Sequence, residues 1–265
     1  MKRVLFFLIF STSLVGQNIK VNFKFHVNTI YKYKSTIKNF TLIQNSSNSL
    51  FTFDDLKNSN QIKYKEQSSL LGVNDTLTTF LVNGEALLVF YKQQTFKDFN
   101  KNIQITNYEL EYKRPQTHIE DKINIFNWEI VNKRDTIIGG YNCKTAKTNF
   151  RGRDYLAYFS NEIANQGGPW KFDGLPGFIL RVESLDGYLL IEPTEIVILK
   201  DFSKEIINPF LNKKTVLFND LYKLLLEKDK RYVSRAKSLP NPPDRIAVSA
   251  PDMIEDTGLG ERIYE

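Results

Sequence analysis

The side chains able to do chemistry in this chain are few and scattered. Cys143 is the single thiol, and His26 and His118 are the two histidines. A nucleophilic cysteine needs a base within reach and a lowered pKa. Neither histidine stands in a recognised catalytic signature. Cys143 follows Gly139-Gly140 in a β-prone stretch, where a small buried apolar residue is common, so a structural thiol is expected. Zinc asks for closely spaced His and Cys, and calcium for a loop of alternating oxygen ligands. Asp54-Asp55 and Glu120-Asp121 are bare acid pairs, and no metal or cofactor is expected. The glycines of 167–177 lack the Gly-Lys-Ser/Thr ending of a phosphate cradle, and Gly139-Gly140 lack the dinucleotide fingerprint. Paired carboxylates are set by geometry rather than spacing. Glu162, Asp173 and Glu183 lie near the glycine-rich stretch and read first as surface charges.

Binding has better candidates than catalysis. Arg151 and Arg153 flank Gly152. Two residues apart on a strand, they would point the same way and could hold a carboxylate or phosphate. An edge charge or a structural ion pair is the plainer alternative. Trp170 and Phe172 are aromatics of the kind used as binding anchors. They lead into Gly174-Leu175-Pro176-Gly177. Pro176 fixes φ near −65° and pushes Leu175 to an extended conformation. Gly177 then stands where a type II turn asks for glycine. Phe178, Ile179 and Leu180 read as a buried strand. The segment is thus a rigid turn feeding the core, or a shaped loop over 167–177 around a ligand or partner.

The elements that must position these residues are mainly strands. The chain has 265 residues, of which 20 are Phe and 13 Tyr. Bulky aromatic and β-branched side chains favour the pleated sheet. Val21, Phe23, Phe25 and Val27 alternate with polar neighbours, the period of a half-buried strand. Asn45 to Asn48 is a turn cluster, followed by a strand from Leu50. Asn83-Gly84 marks a hairpin over 76–91, and Asp186-Gly187 a second one. Further strands are expected at Ile103–Tyr112, Ile123–Val131, Tyr155–Phe159, Phe178–Val182 and Ile196–Leu199. Leu217, Leu221, Leu224 and Leu225 then recur at helical spacing, with Thr215 as the candidate N-cap and an end near Ala236. Leu239-Pro240-Asn241-Pro242-Pro243 ends regular structure, and 237–265 read as a flexible tail or a loosely docked extension.

The N-terminus carries Lys2 and Arg3 before an apolar run from Val4 to Phe10 and the small residues Ser11 to Ser13. This is the pattern of a secretory signal peptide, placed at 1–16, and the run is too short to span a bilayer. An exported protein, periplasmic or secreted, is expected. Without Lys2 and Arg3, 34 basic residues face 30 acidic ones, a net charge of +4. Lys and Arg are interspersed with Asp and Glu rather than gathered in a stripe, which argues against nucleic acid as a partner.

One segment carries a resemblance. Gly174-Leu175-Pro176-Gly177-Phe178-Ile179-Leu180 is similar to the motif of the GLPGLI family of exported bacterial proteins. Trp128, Tyr141, Cys143, Ala146, Phe150, Gly152, Arg153, Glu162-Ile163 and Gly168-Pro169-Trp170 agree in order and spacing. Phe178 stands where the family usually has Leu. The family brings no assigned activity to carry over.

The combined expectation is a mainly β, α+β domain over 17–236. It would be a single strongly curved antiparallel sheet, half-barrel-like, with a C-terminal helix packed on it; a β-sandwich is the alternative. The expected role is a non-catalytic binding or carrier protein for an apolar ligand or a lipidated or peptide partner. Assembly within an outer-membrane complex is the alternative, and a hydrolase a lesser one. The candidate binding residues are Trp170, Phe172, Gly174, Leu175, Pro176, Gly177, Arg151 and Arg153.

Overall fold

The computed structural model describes residues 17–28, 35–54, 93–108, 115–199, 205–242, 244–248, 255 and 262–264. The expected signal peptide at 1–16 and the hairpin at 76–91 lie outside them.

Strand β1 (Asn18–Asn28) sets the pattern. Ile19, Val21, Phe23, Phe25 and Val27 are all buried, while Asn18, Lys20, Asn22, Lys24, His26 and Asn28 are not. This is the alternation that its sequence requires. β1 is a central strand, with β2 (Ser35–Gln44) on one side and β11 (Leu189–Leu199) on the other. From β2 the sheet runs outward through β3 (Asn48–Phe53), β4 (Gln94–Asp98), β5 (Ile103–Tyr108), β6 (Thr117–Lys122) and β12 (Thr215–Leu217). From β11 it runs through β10 (Phe178–Ser184), β9 (Arg153–Ser160), β8 (Tyr141–Phe150) and β7 (Glu129–Ile138). Twelve strands thus form one sheet among the described residues. All neighbours are antiparallel except β12 on β6.

The registers place one set of side chains on a single continuous face. Phe25 stands opposite Ile191, Leu42 opposite Phe51, Phe51 opposite Thr95 and Thr95 opposite Thr106. On the other wing Val182 pairs with Ile191 and Ala157, and Ala157 with Ala146. This inner face carries the main core, and Phe40 and Phe51 stack with ring centroids 4.7 Å apart. The sheet is strongly curved. β6 and β9 stand second and tenth in strand order, so in a flat sheet they would lie roughly 38 Å apart at ~4.8 Å per strand. Instead Arg151, in the turn between β8 and β9, reaches Asp121 of β6 at 2.6 Å.

Two elements fill the inside of this curve. Helix α1 (Phe218–Lys237) lays Leu221 and Leu225 against Tyr108 and Ile119 of β5 and β6. The loop between β9 and β10, residues 161–177, covers the rest with Ile163, Trp170, Phe172 and Leu175. On the opposite face, Ile206 and Phe210 cover Phe96 and Ile105.

Several expectations change. Residues 123–128 are irregular rather than a strand, and β7 starts only at Glu129. There Phe126 and Trp128 stack with centroids 5.5 Å apart, and Phe126 lies 4.3 Å from the Phe150 ring. Thr215 is not the helix N-cap. It belongs to β12 and donates to Glu120 Oε2 at 3.0 Å, and α1 starts behind Leu217 without a side-chain cap. Within 237–265, expected as a flexible tail or a loosely docked extension, β13 (Ile246–Val248) pairs with β14 (Arg262–Tyr264). Ile246 packs on Val233 and Ala236 of α1, and Glu255 is buried.

Candidate functional site

The loop at 161–177 enters the sheet at Gly167, which forms a parallel bridge with Phe178, and Ile179 donates to the Gly167 carbonyl at 2.8 Å. Gln44 of β2 donates to the Gln166 carbonyl at 2.5 Å. The Trp170 backbone is left-handed at φ +51°, and its side chain is fully buried. Phe172, also fully buried, meets Trp170 and Tyr155 edge-on at 5.3 and 5.1 Å. Such pairs add to the area they bury. Trp170, Phe172 and Leu175 therefore belong to the core and present no surface in this structure; Gly174 and Pro176 are exposed.

The turn is not type II. Gly174 takes the left-handed conformation, at φ +89°. Gly177 instead donates to the Leu175 carbonyl at 2.8 Å, closing a three-residue turn around Pro176. Glycine is required at 177 for space, because a Cβ there would stand 2.5 Å from the Ser160 carbonyl oxygen.

Two buried ionic sites hold this loop. In the first, Lys97 of β4 projects from the inner face with its side chain 1% exposed. Its ammonium donates to Asp173 Oδ2 at 2.9 Å, the Phe172 carbonyl at 2.9 Å and the Gly168 carbonyl at 3.4 Å. Burial pushes the Lys97 pKa down, and the Asp173 carboxylate partly offsets this. Asp173 is a hub. Its Oδ1 accepts from the Gly174 amide at 2.7 Å, and its carbonyl accepts from Trp128 Nε1 at 2.7 Å.

In the second site, Lys171 of the loop has a fully buried side chain. It donates to Asp121 Oδ2 at 2.9 Å and to Glu255 Oε1 and Oε2 at 3.0 and 2.9 Å. Arg151 grips Asp121 with two bonds, at 2.6 and 3.2 Å, and donates to Glu255 Oε1. The Tyr108 hydroxyl donates to Glu255 Oε2. The Arg151 guanidinium lies 3.4 Å from the centroid of the Phe218 ring of α1, a cation–π contact. Burial alone would raise the Asp121 pKa; Lys171 and Arg151 outweigh it and hold the carboxyl below its ordinary range. Burial, and then the Glu255 carboxylate, push the Tyr108 hydroxyl well up. Asp121 held ionised suits charge pairing better than proton transfer. Beside this site lies an open pocket of about 370 Å³, lined in part by Lys101, Lys122, Glu120, Asp121, Arg151 and Phe218.

Arg151 and Arg153 do not share an anion. Arg151 and Gly152 form the two-residue turn between β8 and β9, with φ of +44° and +79°. This sends Arg151 inward, while Arg153 donates to Asp186 Oδ2 at 2.8 Å over the Tyr188 ring. Cys143 is buried, and desolvation raises its pKa to about 11, which leaves a poor nucleophile. Among the described residues no cluster of His, Cys, Asp and Glu is placed to hold a metal. No described helix is long and apolar enough to cross a membrane.

Lys97, Lys171, Tyr108 and Glu255 escaped the sequence reading. The one signal for them was position: Lys171 and Asp173 alternate with Trp170 and Phe172, and Lys97 follows Phe96.

No family model matches the sequence, and no curated protein matches it. Among solved structures, two crystal forms of PNGF-II overlay on 76% of the chain at 14% identity, with TM-scores of 0.47 and 0.48. The chain spans about a third of PNGF-II, 31% of its length. A domain assigned to the outer membrane lipoprotein-sorting proteins of Vibrio parahaemolyticus overlays on 74% of this chain and 90% of its own. Its TM-score is 0.32 at 6% identity. At these scores the likenesses carry no functional argument.

Proposed function

We propose that the protein is an exported, non-catalytic envelope protein that binds a partner protein or peptide at its surface. The observation behind this reading is the filled interior of the sheet. The inner face is covered by α1 and by the 161–177 loop, whose Trp170 and Phe172 are fully buried. A binding function then has to use the outside of the molecule and the pocket beside Arg151. Export rests on the pattern of residues 1–16. The resemblance to GLPGLI proteins, carried by residues 174–180, fits an exported protein and adds no chemistry.

Carriage of an apolar ligand is the second reading. The half-barrel curvature of the sheet favours it. A ligand inside would have to displace the 161–177 loop together with the buried Lys97–Asp173 ion pair, and breaking such a pair is costly.

Native mass spectrometry on the protein purified from its own envelope fraction separates the two. The partner reading expects the bare chain mass. An added mass that organic solvent removes would overturn it and establish the carrier.

A further inference from the structure

Glu255 stands apart from the other members of the second ionic site. Tyr108, Asp121, Arg151 and Lys171 are built into the sheet, its turns and the loop that fills it. Glu255 arrives 84 residues beyond Lys171 and 104 beyond Arg151 along the chain. Its two oxygens receive Lys171, Arg151 and the Tyr108 hydroxyl, so each has a donor. Donors that converge in this way on an ionised carboxylate make strong bonds. Without Glu255, two cations would face the single carboxylate of Asp121. That excess of positive charge at buried positions calls for an anion.

On its Arg151 and Asp121 side the site also borders a pocket. The neighbouring pocket is walled by Arg151 and Asp121, and Lys101 and Lys122 line it. Three basic residues there face two acidic ones, a bias that attracts an acidic segment. Vacating the site leaves buried charge unpaired, whereas exchanging one carboxylate for another does not.

We propose that Lys171, Arg151 and the Tyr108 hydroxyl form a receptor for a side-chain carboxylate, which Glu255 occupies from within and an acidic segment of a partner takes by exchange. This deepens the partner-binding reading and rests on it: it names where the partner enters and what chemistry it brings. The intramolecular carboxylate acts as a tethered competitor, present at an effective concentration that the partner has to overcome.

The probe is a fluorescent synthetic peptide of residues 251–259, PDMIEDTGL, added to the full-length wild-type protein and to full-length E255A. Fluorescence anisotropy should show E255A binding it at least about tenfold more tightly than wild type, because the tethered competitor is gone. A peptide with all its carboxyls amidated should not bind, and K171M/E255A should lose the interaction. Equal binding to both proteins, equal binding of the amidated peptide, or no binding to folded E255A would overturn the proposal. Acetate displacing the peptide at equal concentration would also overturn it, by making the site a receptor for small carboxylates.

If E255A does not fold, the wild-type protein carries the test. Carbodiimide should join Lys171 to Glu255 as an intrachain amide, read by peptide mapping. Excess peptide should replace that product by a Lys171–peptide amide. An unchanged intrachain product, or no amide at Lys171, would contradict exchange. A lipid adduct in the native mass experiment would overturn the partner reading alone. Failure here, with a bare native mass, would remove only this site.

Discussion

The two buried ionic sites use the same residue types for different ends. Around Lys97, two of the three acceptors are main-chain carbonyls of the loop, and the third is Asp173 in the same loop. None of these can leave unless the loop itself leaves. Around Lys171, every partner is a side chain, and four charged groups come from four separate segments. One of those segments is the C-terminal one, and one flank of the site borders a pocket. The first site is a permanent anchor. The second is a junction whose parts can be separated. A buried charge matched to backbone serves fixation; a buried charge matched to side chains from distant segments leaves room for exchange.

Breaking the anchor should cost most. Lys97→Met leaves Asp173 buried and short of its cation, a loss of about 3–5 kcal/mol in urea unfolding. A loss below about 1 kcal/mol would mean that the loop is held by its aromatics alone. Glu255→Gln keeps the shape of the junction and removes one charge, and should cost about 1.5–3 kcal/mol. If it costs more than Lys97→Met, the ranking of anchor over junction is reversed.

Acid separates the sites further. The Asp121 pKa is depressed in the folded protein, so below about 3.8 the unfolded chain takes up that proton first. The stability contributed by Asp121 is thus present above pH 3.8 and is lost as the pH falls through the lower folded value. Asp121→Asn should flatten this part of the stability–pH curve; an unchanged slope would remove Asp121 as its source. The smallest effect belongs to the outer arginine. Arg153→Ala should cost about 0–1 kcal/mol, because its partner Asp186 is half-exposed. A larger loss would make Arg153 a structural element in its own right.

Much of the fold was legible in the sequence, because period-two alternation in β1 maps directly onto burial. The Asn45–Asn48 turn was legible for the same kind of reason: Asn45 Oδ1 accepts from the Ser47 and Asn48 amides. The site was less so. Arg151 and Arg153 look like same-face strand neighbours until the turn between them is known, and Arg-Gly is a weak turn signal beside Asn-Gly. Nothing in the sequence marks Lys97 and Lys171 as buried, because charged side chains are rarely fully buried without partners, and their partners lie far off in sequence. Trp170 and Phe172 carry no mark that distinguishes an exposed anchor from a core ring. Only the curvature of the sheet, which a linear pattern does not encode, turns them inward.

The burial of Trp170 and Phe172 in the core, rather than at a binding surface, is best tested by acrylamide quenching of Trp170 in a Trp128→Phe protein. The Trp170 emission should be blue-shifted, resist quenching until the protein unfolds and stay unchanged when a fatty acid is added. Ready quenching in the native protein, relieved by the fatty acid, would contradict it and place a ligand where the loop now sits.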